Sequence, residues 1–182
     1  RYALAATGNQ NFGYFGGGLN AGGSVTSSIF RVDYSNDTAT AAEKGPLSAT
    51  KNNLAATGNA DFGYFGGGSP GPKSTVDRID YSNDTANASP KGPLSVSRHT
   101  LAATGNTSFG YFGGGFPGPV STVDRIDYSS DTGTTPTKGP LNFSQRNLAA
   151  SSSQANAITV GTLFSAPTIR DNVAPQGNDF GY

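Results

Sequence analysis

The chain has 182 residues, enough for one ordinary domain, and its 12 Lys and Arg balance its 12 Asp and Glu. Zero net charge excludes the basic excess that a nucleic-acid partner or an anionic membrane surface would require, and no apolar run reaches the length of a membrane span. With no Cys there is neither a disulfide nor a thiolate metal site; charged residues are only 13% of the chain and Gly is 26 of 182, so polarity comes mainly from amides and hydroxyls.

Read from the first residue, one motif returns three times and a fourth copy begins. Leu4-Ala5-Ala6-Thr7-Gly8-Asn9 recurs at 54–59 and 101–106, and Phe12-Gly13-Tyr14-Phe15-Gly16-Gly17-Gly18 at 62–68 and 109–115. Val32-Asp33-Tyr34-Ser35-Asn36-Asp37-Thr38 recurs at 79–85 and 126–132, and Lys44-Gly45-Pro46-Leu47 at 91–94 and 138–141. Asp33, Asp80 and Asp127 are spaced by 47, whereas Leu4 and Leu54 are 50 apart, so the extra residues fall in the longer loop 19–28. The units are 1–50, 51–97 and 98–144; residues 145–182 are expected to form a degenerate fourth repeat, a cap or a linker. Leu148-Ala149-Ala150 opens on the beat, and Gly177–Tyr182 echoes Gly58–Tyr64 with one residue missing. With no Met in the chain, both ends are expected to be cuts in a longer array.

Gly and Pro interrupt every stretch of helical length, so the third copy reads as short strands. The first is expected near 100–104 and the second over 109–112, with Phe109 and Tyr111 on one face and Phe112 on the other. The third is expected over 121–128. Asp124, Ile126 and Tyr128 share one of its faces, which the first copy's Phe30, Val32 and Tyr34 mark as the more buried one. Arg78 and Asp80, and Arg125 and Asp127, are expected to pair on the opposite face. The Ser-Asn-Asp-Thr run makes a turn, with Asp84 and Asp131 bonding local backbone. A weak fourth strand, suited to an outer edge, is expected through Lys138-Gly139-Pro140-Leu141 and beyond.

No catalytic constellation assembles. His99, where other copies carry Asn52 and Arg146, reads as a plain surface residue. The Asp77/Asp80/Asp84 and Asp124/Asp127/Asp131 clusters offer oxygen donors but match no EF-hand spacing, and turns and ion pairs also account for them. Gly63–Gly68 is followed by Pro70 and Pro72, not by the helix start that a phosphate loop needs. The glycosylation patterns at Asn36, Asn83, Asn106 and Asn142 arise readily from composition. Copies differ most in the loop after the triple glycine. There Leu19, Asn20, Ser69, Pro70, Lys73, Phe116 and Val120 are the candidate binding residues, with neutral drift as the alternative.

Repeats of this length, with Phe65-Gly66-Gly67, Asp80-Tyr81, Lys91-Gly92-Pro93-Leu94 and Arg98 ahead of a first strand, resemble the kelch-repeat β-propellers over roughly residues 1–146. Gly16, Gly17, Gly66, Gly67, Gly113 and Gly114, with Tyr34, Tyr81 and Tyr128, form the signature; the Trp usual on a kelch fourth strand is missing. The wording of 58–68 and 74–85 is also similar to kelch-like arrays in structural and tail-fibre proteins of marine cyanophages. The resemblance implies an all-β fold of propeller blades, open as a solenoid, extended by further blades or closed by other copies. It implies a non-enzymatic, cofactor-free virion or extracellular module, with host-surface glycan as one expected partner. A sugar oxidase or mutarotase and a protein–protein adaptor are the alternatives.

Overall fold

A computed structural model describes residues 1–118 and 120–151; the expectations for the altered fourth repeat and for the echo at 177–182 lie outside these. Each copy of the motif becomes one four-stranded antiparallel sheet in simple meander order. The first holds β1 (Ala5–Gly8), β2 (Phe12–Gly16), β3 (Ile29–Asp33) and β4 (Ala42–Lys44). The second holds β5 (Ala55–Gly58), β6 (Phe62–Gly66), β7 (Val76–Asp80) and β8 (Ser89–Lys91). The third holds β9 (Ala102–Gly105), β10 (Phe109–Gly113), β11 (Val123–Asp127) and β12 (Thr137–Lys138).

Local chemistry sets the turns. Asn9 Oδ1 accepts the amides of Asn11 and Phe12, folding β1 back onto β2, and Asn59 and Asn106 do the same. After the third strands it is Asp33, Asp80 and Asp127 that make the turn, each accepting the amide and hydroxyl of the serine two residues on. Those serines hold the three carboxyls below the usual Asp range. This corrects the sequence expectation: Asp84 and Asp131 do not turn their own chain but reach back into the preceding repeat. Nor does Arg78 pair with Asp80; it bridges to Asp131 at 2.8 Å, as Arg31 does to Asp84.

The strands differ modestly from expectation. The first strand of repeat three starts at Ala102, because Thr100 has a left-handed φ of 54° that no strand accommodates. The third is shorter, Val123–Asp127. The fourth ends at the Lys that opens the Lys-Gly-Pro-Leu run instead of passing through it. In repeats one and two that run crosses to the next repeat: Gly45 and Gly92 donate to the carbonyls of Asp84 and Asp131.

The three sheets stack face to face and approach most closely along their first strands. The face of each sheet bearing the Tyr and Arg of its second and third strands meets the opposite face of the following sheet. Tyr14 stacks on Tyr81 with centroids 4.8 Å apart, and Tyr64 on Tyr128 at 4.9 Å. One apolar cluster fills each junction, the first around Tyr14, Ile29, Leu47, Leu54, Phe65 and Tyr81, the second around Tyr64, Val76, Leu94, Leu101, Phe112 and Tyr128. Among the described residues, only the middle sheet is therefore covered on both faces. The expectation that Phe30, Val32 and Tyr34 mark a buried face fails in repeat one, because no described sheet precedes it: Tyr34 is 54% exposed, and Ile29 and Tyr14 on the other face are the fully buried residues.

Candidate functional site

The functional side chains sort into two sets, the polar groups between sheets and the variable residues at one end of the stack. Between sheets, each junction carries two aspartate nodes. Asp84 accepts from Tyr14 Oη at 2.9 Å and Arg31 at 2.8 Å, and lies 3.2 Å from Lys44 Nζ. Asp131 repeats this with Tyr64 at 3.0 Å, Arg78 at 2.8 Å and Lys91 at 3.8 Å. The second node lies deeper. Asp77 receives Lys51 Nζ at 3.0 Å, and Asp124 receives Arg98 Nη2 at 2.8 Å; all four side chains have at most 1% of their surface exposed. Ser48 and Ser95 complete these nodes through amide and hydroxyl. Burial holds the Lys51 and Arg98 pKa values below their usual range, opposed by the facing carboxylates.

Burial also raises the pKa values of Tyr14, Tyr64 and Tyr81, and pushes Tyr128 up to about 12. A folded-state phenol pKa above the unfolded value of about 10 means stability that is whole below pH 10 and lost as pH climbs through the folded value. Alkaline titration followed by phenolate absorbance is therefore expected to show these four ionising together with loss of the β-sheet circular dichroism signal. Ionisation of all eight tyrosines near pH 10 with the fold intact would contradict it.

The signature glycines serve the junctions. A Cβ on Gly66 would lie 2.6 Å from the Phe112 ring, and one on Gly16 2.7 Å from Phe65, so each glycine is the notch that admits the next sheet's phenylalanine. Gly67 adopts φ 71° so that Gly68 can donate to the Arg98 carbonyl. Gly17 and Gly114 repeat this conformation, whereas a Cβ on Gly113 would meet Val123 at 3.7 Å and nothing nearer among the described residues.

The candidate binding residues lie at the end of the stack opposite the Asn hairpins, where each repeat enters the next. The structure pairs them with a second variable column. Leu19 bridges to Tyr2, Ser69 to Asn52 and Phe116 to His99, each through backbone. Ser69 and Asn52 also join by their side chains. His99 lies 5.3 Å from the Phe116 ring, and Arg146 covers that ring at 5.3 Å. Lys73 and Val120 bridge forward to Arg98 and Gln145, while Asn20 and Pro70 occupy the loop tips. Asn20 Oδ1 folds its own tip by accepting the Ser24 amide. The variable residues thus change as matched pairs: apolar with aromatic, amide with hydroxyl, imidazole with phenyl. His99 is half-buried in one of these pairs rather than a plain surface residue, because Phe116 lies against it. Sequence reasoning missed the Tyr2/Asn52/His99 column as a partner of the loop; covariation of the two columns across the copies was the available signal.

Among the described residues, no group of three or more His, Asp or Glu side chains is placed to hold a metal ion, and no helix is long and apolar enough to cross a membrane. Open grooves lie at the opposite, hairpin end. One of about 430 Å³ runs between Asn9, Phe12, Asp61, Phe62 and Ser82. No model of a protein family matches this chain, and no curated protein matches it.

Proposed function

We propose that this chain is a run of kelch-like propeller blades acting as a non-enzymatic structural and contact module of a virion fibre or similar extracellular assembly. One observation carries the reading: the buried carboxylates and cations among the described residues pair in repeated nodes between sheets, while the copies vary, in matched pairs, at one outward end. Catalysis needs unlike groups converging once. Repeated inward nodes with a varied rim instead suit many weak contacts whose avidity multiplies. The partners are further blades or other copies, and host-surface glycan at the rim, where the exposed Tyr2 offers a ring face and Asn52 and Ser69 an amide and a hydroxyl.

Two measurements test this. Antibodies against the chain should label fibres on virions of the source virus; labelling of no virion structure would defeat the assignment. On an array of microbial surface glycans, the protein should bind at least one class, with Tyr2→Ala weakening binding about tenfold, the loss of one stacking contact. Absence of binding above background would remove the glycan from the proposal.

A further inference from the structure

The chain's zero net charge conceals a separation of sign between the two ends of the stack. The rim is built from segments 1–3, 17–28, 48–53, 67–75, 95–100, 114–122 and 142–147. They contain Arg1, Lys51, Lys73, Arg98 and Arg146 and no Asp or Glu. The hairpin end is built from segments 9–11, 33–41, 59–61, 80–88, 106–108 and 127–136. Besides the two aspartates of the nodes, these hold Asp33, Asp37, Asp61, Asp80 and Asp127, and no Lys or Arg. Charges placed for solubility alone would mix the two signs at each end. At the rim, Lys51 and Arg98 are neutralised by Asp77 and Asp124. Lys73 and Arg146 form no ion pair among the described residues.

Both free cations stand where the copies differ, and the scaffold does not need them. Lys73 bridges through backbone to Arg98, and Val120 makes the same bridge to Gln145 without any charge. Arg146 occupies the column that reads Tyr2, Asn52 and His99 in the three copies. Backbone hydrogen bonds set both cations beside the variable pairs. The Lys73 carbonyl accepts the amide of Arg98, the residue before His99, at 3.0 Å. His99 and Phe116 exchange both of their backbone hydrogen bonds at 2.9 Å, and the Arg146 guanidinium lies 5.3 Å over the Phe116 ring. Along the stack the rim therefore offers the amide and hydroxyl of Asn52 and Ser69, then the Lys73 ammonium, then the Arg146 guanidinium.

We propose that the rim binds an acidic polysaccharide, a linear glycan carrying carboxylate or sulfate groups, with Lys73 and Arg146 as its anion contacts. The inference rests on the reading of the rim as a glycan-contacting surface and adds the sign of the ligand's charge. The two cations suit such groups in different ways. The Lys73 ammonium is a point charge that takes an anion from any direction, whereas the Arg146 guanidinium, seated over Phe116, presents a planar fork that matches a carboxylate or sulfate with two parallel hydrogen bonds. Neighbouring amides and hydroxyls take the sugar's own hydroxyls. The carboxylates at the hairpin end repel the same polymer, so the field of the whole stack steers it to one end. Two free cations among amides suit a sparsely charged chain; the denser phosphates of a nucleic acid call for the basic excess that this protein lacks.

The test measures binding of the 182-residue chain to immobilised alginate, dextran sulfate and neutral dextran by surface plasmon resonance, at rising salt. The chain is expected to bind alginate or dextran sulfate and not dextran, with affinity falling as salt rises; the two acidic polymers separate a carboxylate from a sulfate ligand. Lys73→Val, which installs the third copy's residue, and Arg146→Gln should each weaken binding about twofold to fivefold at an unchanged melting temperature, and together roughly tenfold. Lys73→Arg should keep wild-type binding, and Asp61→Asn, at the opposite end, should change it less than about twofold. Equal affinity for neutral dextran, or acidic-polymer binding that survives the double variant, would overturn this inference while leaving the rim a glycan-contacting surface. Binding to none of the three polymers would overturn it as well, and a blank glycan array would then remove the underlying reading. Tighter binding to duplex DNA than to either acidic polymer would also sink it.

Discussion

Asp124→Ala is expected to destabilise the fold by about 3–5 kcal/mol. The Asp124 side chain is fully buried and takes Arg98 Nη2 at 2.8 Å together with the Ser95 amide and hydroxyl. Arg98 also donates to the carbonyls of Phe112, Gly114 and Thr122, so its guanidinium cannot follow water out of the junction. Removing the carboxylate therefore leaves a buried cation with no counter-charge, a far larger penalty than the lost hydrogen bonds alone. The paired replacement Arg98→Met with Asp124→Leu should recover most of the loss, because no unpaired charge remains. Asp37→Ala, at an exposed position, should stay within about 0.5 kcal/mol in the dilute monomer. Urea midpoints at constant slope measure all three, and a loss below 1 kcal/mol for Asp124→Ala would contradict the account.

Removing the ring of Phe65 or Phe112 is expected to cost about 3–5 kcal/mol, while the same change at Phe15 should cost less than about 0.5 in the dilute monomer. All three occupy the fourth position of a Phe-Gly-Tyr-Phe-Gly strand, so neither propensity nor local sequence separates them. What differs is the neighbour. Phe65 and Phe112 have no exposed surface and fill glycine notches in the preceding sheet; Phe15 is 40% exposed because no described sheet precedes it. Equal losses at the three positions would show that the ring acts within its own sheet and not across the junction.

These contrasts show what was readable in the sequence. Alternation in Phe109–Phe112, the Asn hairpins and the repeated Gly and Pro punctuation give the strands and their antiparallel order, because those are local consequences of side-chain period and turn chemistry. The partners of Asp84 and Arg78 were not readable. On the isolated strand Arg78 and Asp80 share a face, and only stacking of the sheets reveals that each prefers a group some 50 residues away, with |i−j| of 53 between Arg31 and Asp84. Phe30, Val32 and Tyr34 misled for the same reason: composition identifies an apolar face but not whether a neighbour covers it. The candidate loop residues are named by their variation between copies, yet their matching to Tyr2, Asn52 and His99 depends on a backbone bridge that no linear spacing encodes.

Ala3, Asn53 and Thr100, just ahead of the three first strands, and Asn147, one 47-residue step beyond Thr100, all adopt left-handed backbone with φ between 51° and 56°. Asn53 donates its amide to the Ala3 carbonyl, Thr100 to Asn53 and Asn147 to Thr100. Every seam between repeats is therefore the same seam, made by main-chain atoms and indifferent to which copies it joins. For the gene this removes a barrier to unequal recombination. An in-frame crossover that loses residues 51–97 would bring Thr100 to the carbonyl of Ala3 and Phe112 to the notch of Gly16, with no new junction to be selected. The near-identity of the copies is what a lineage that lengthens and shortens in whole units would leave behind.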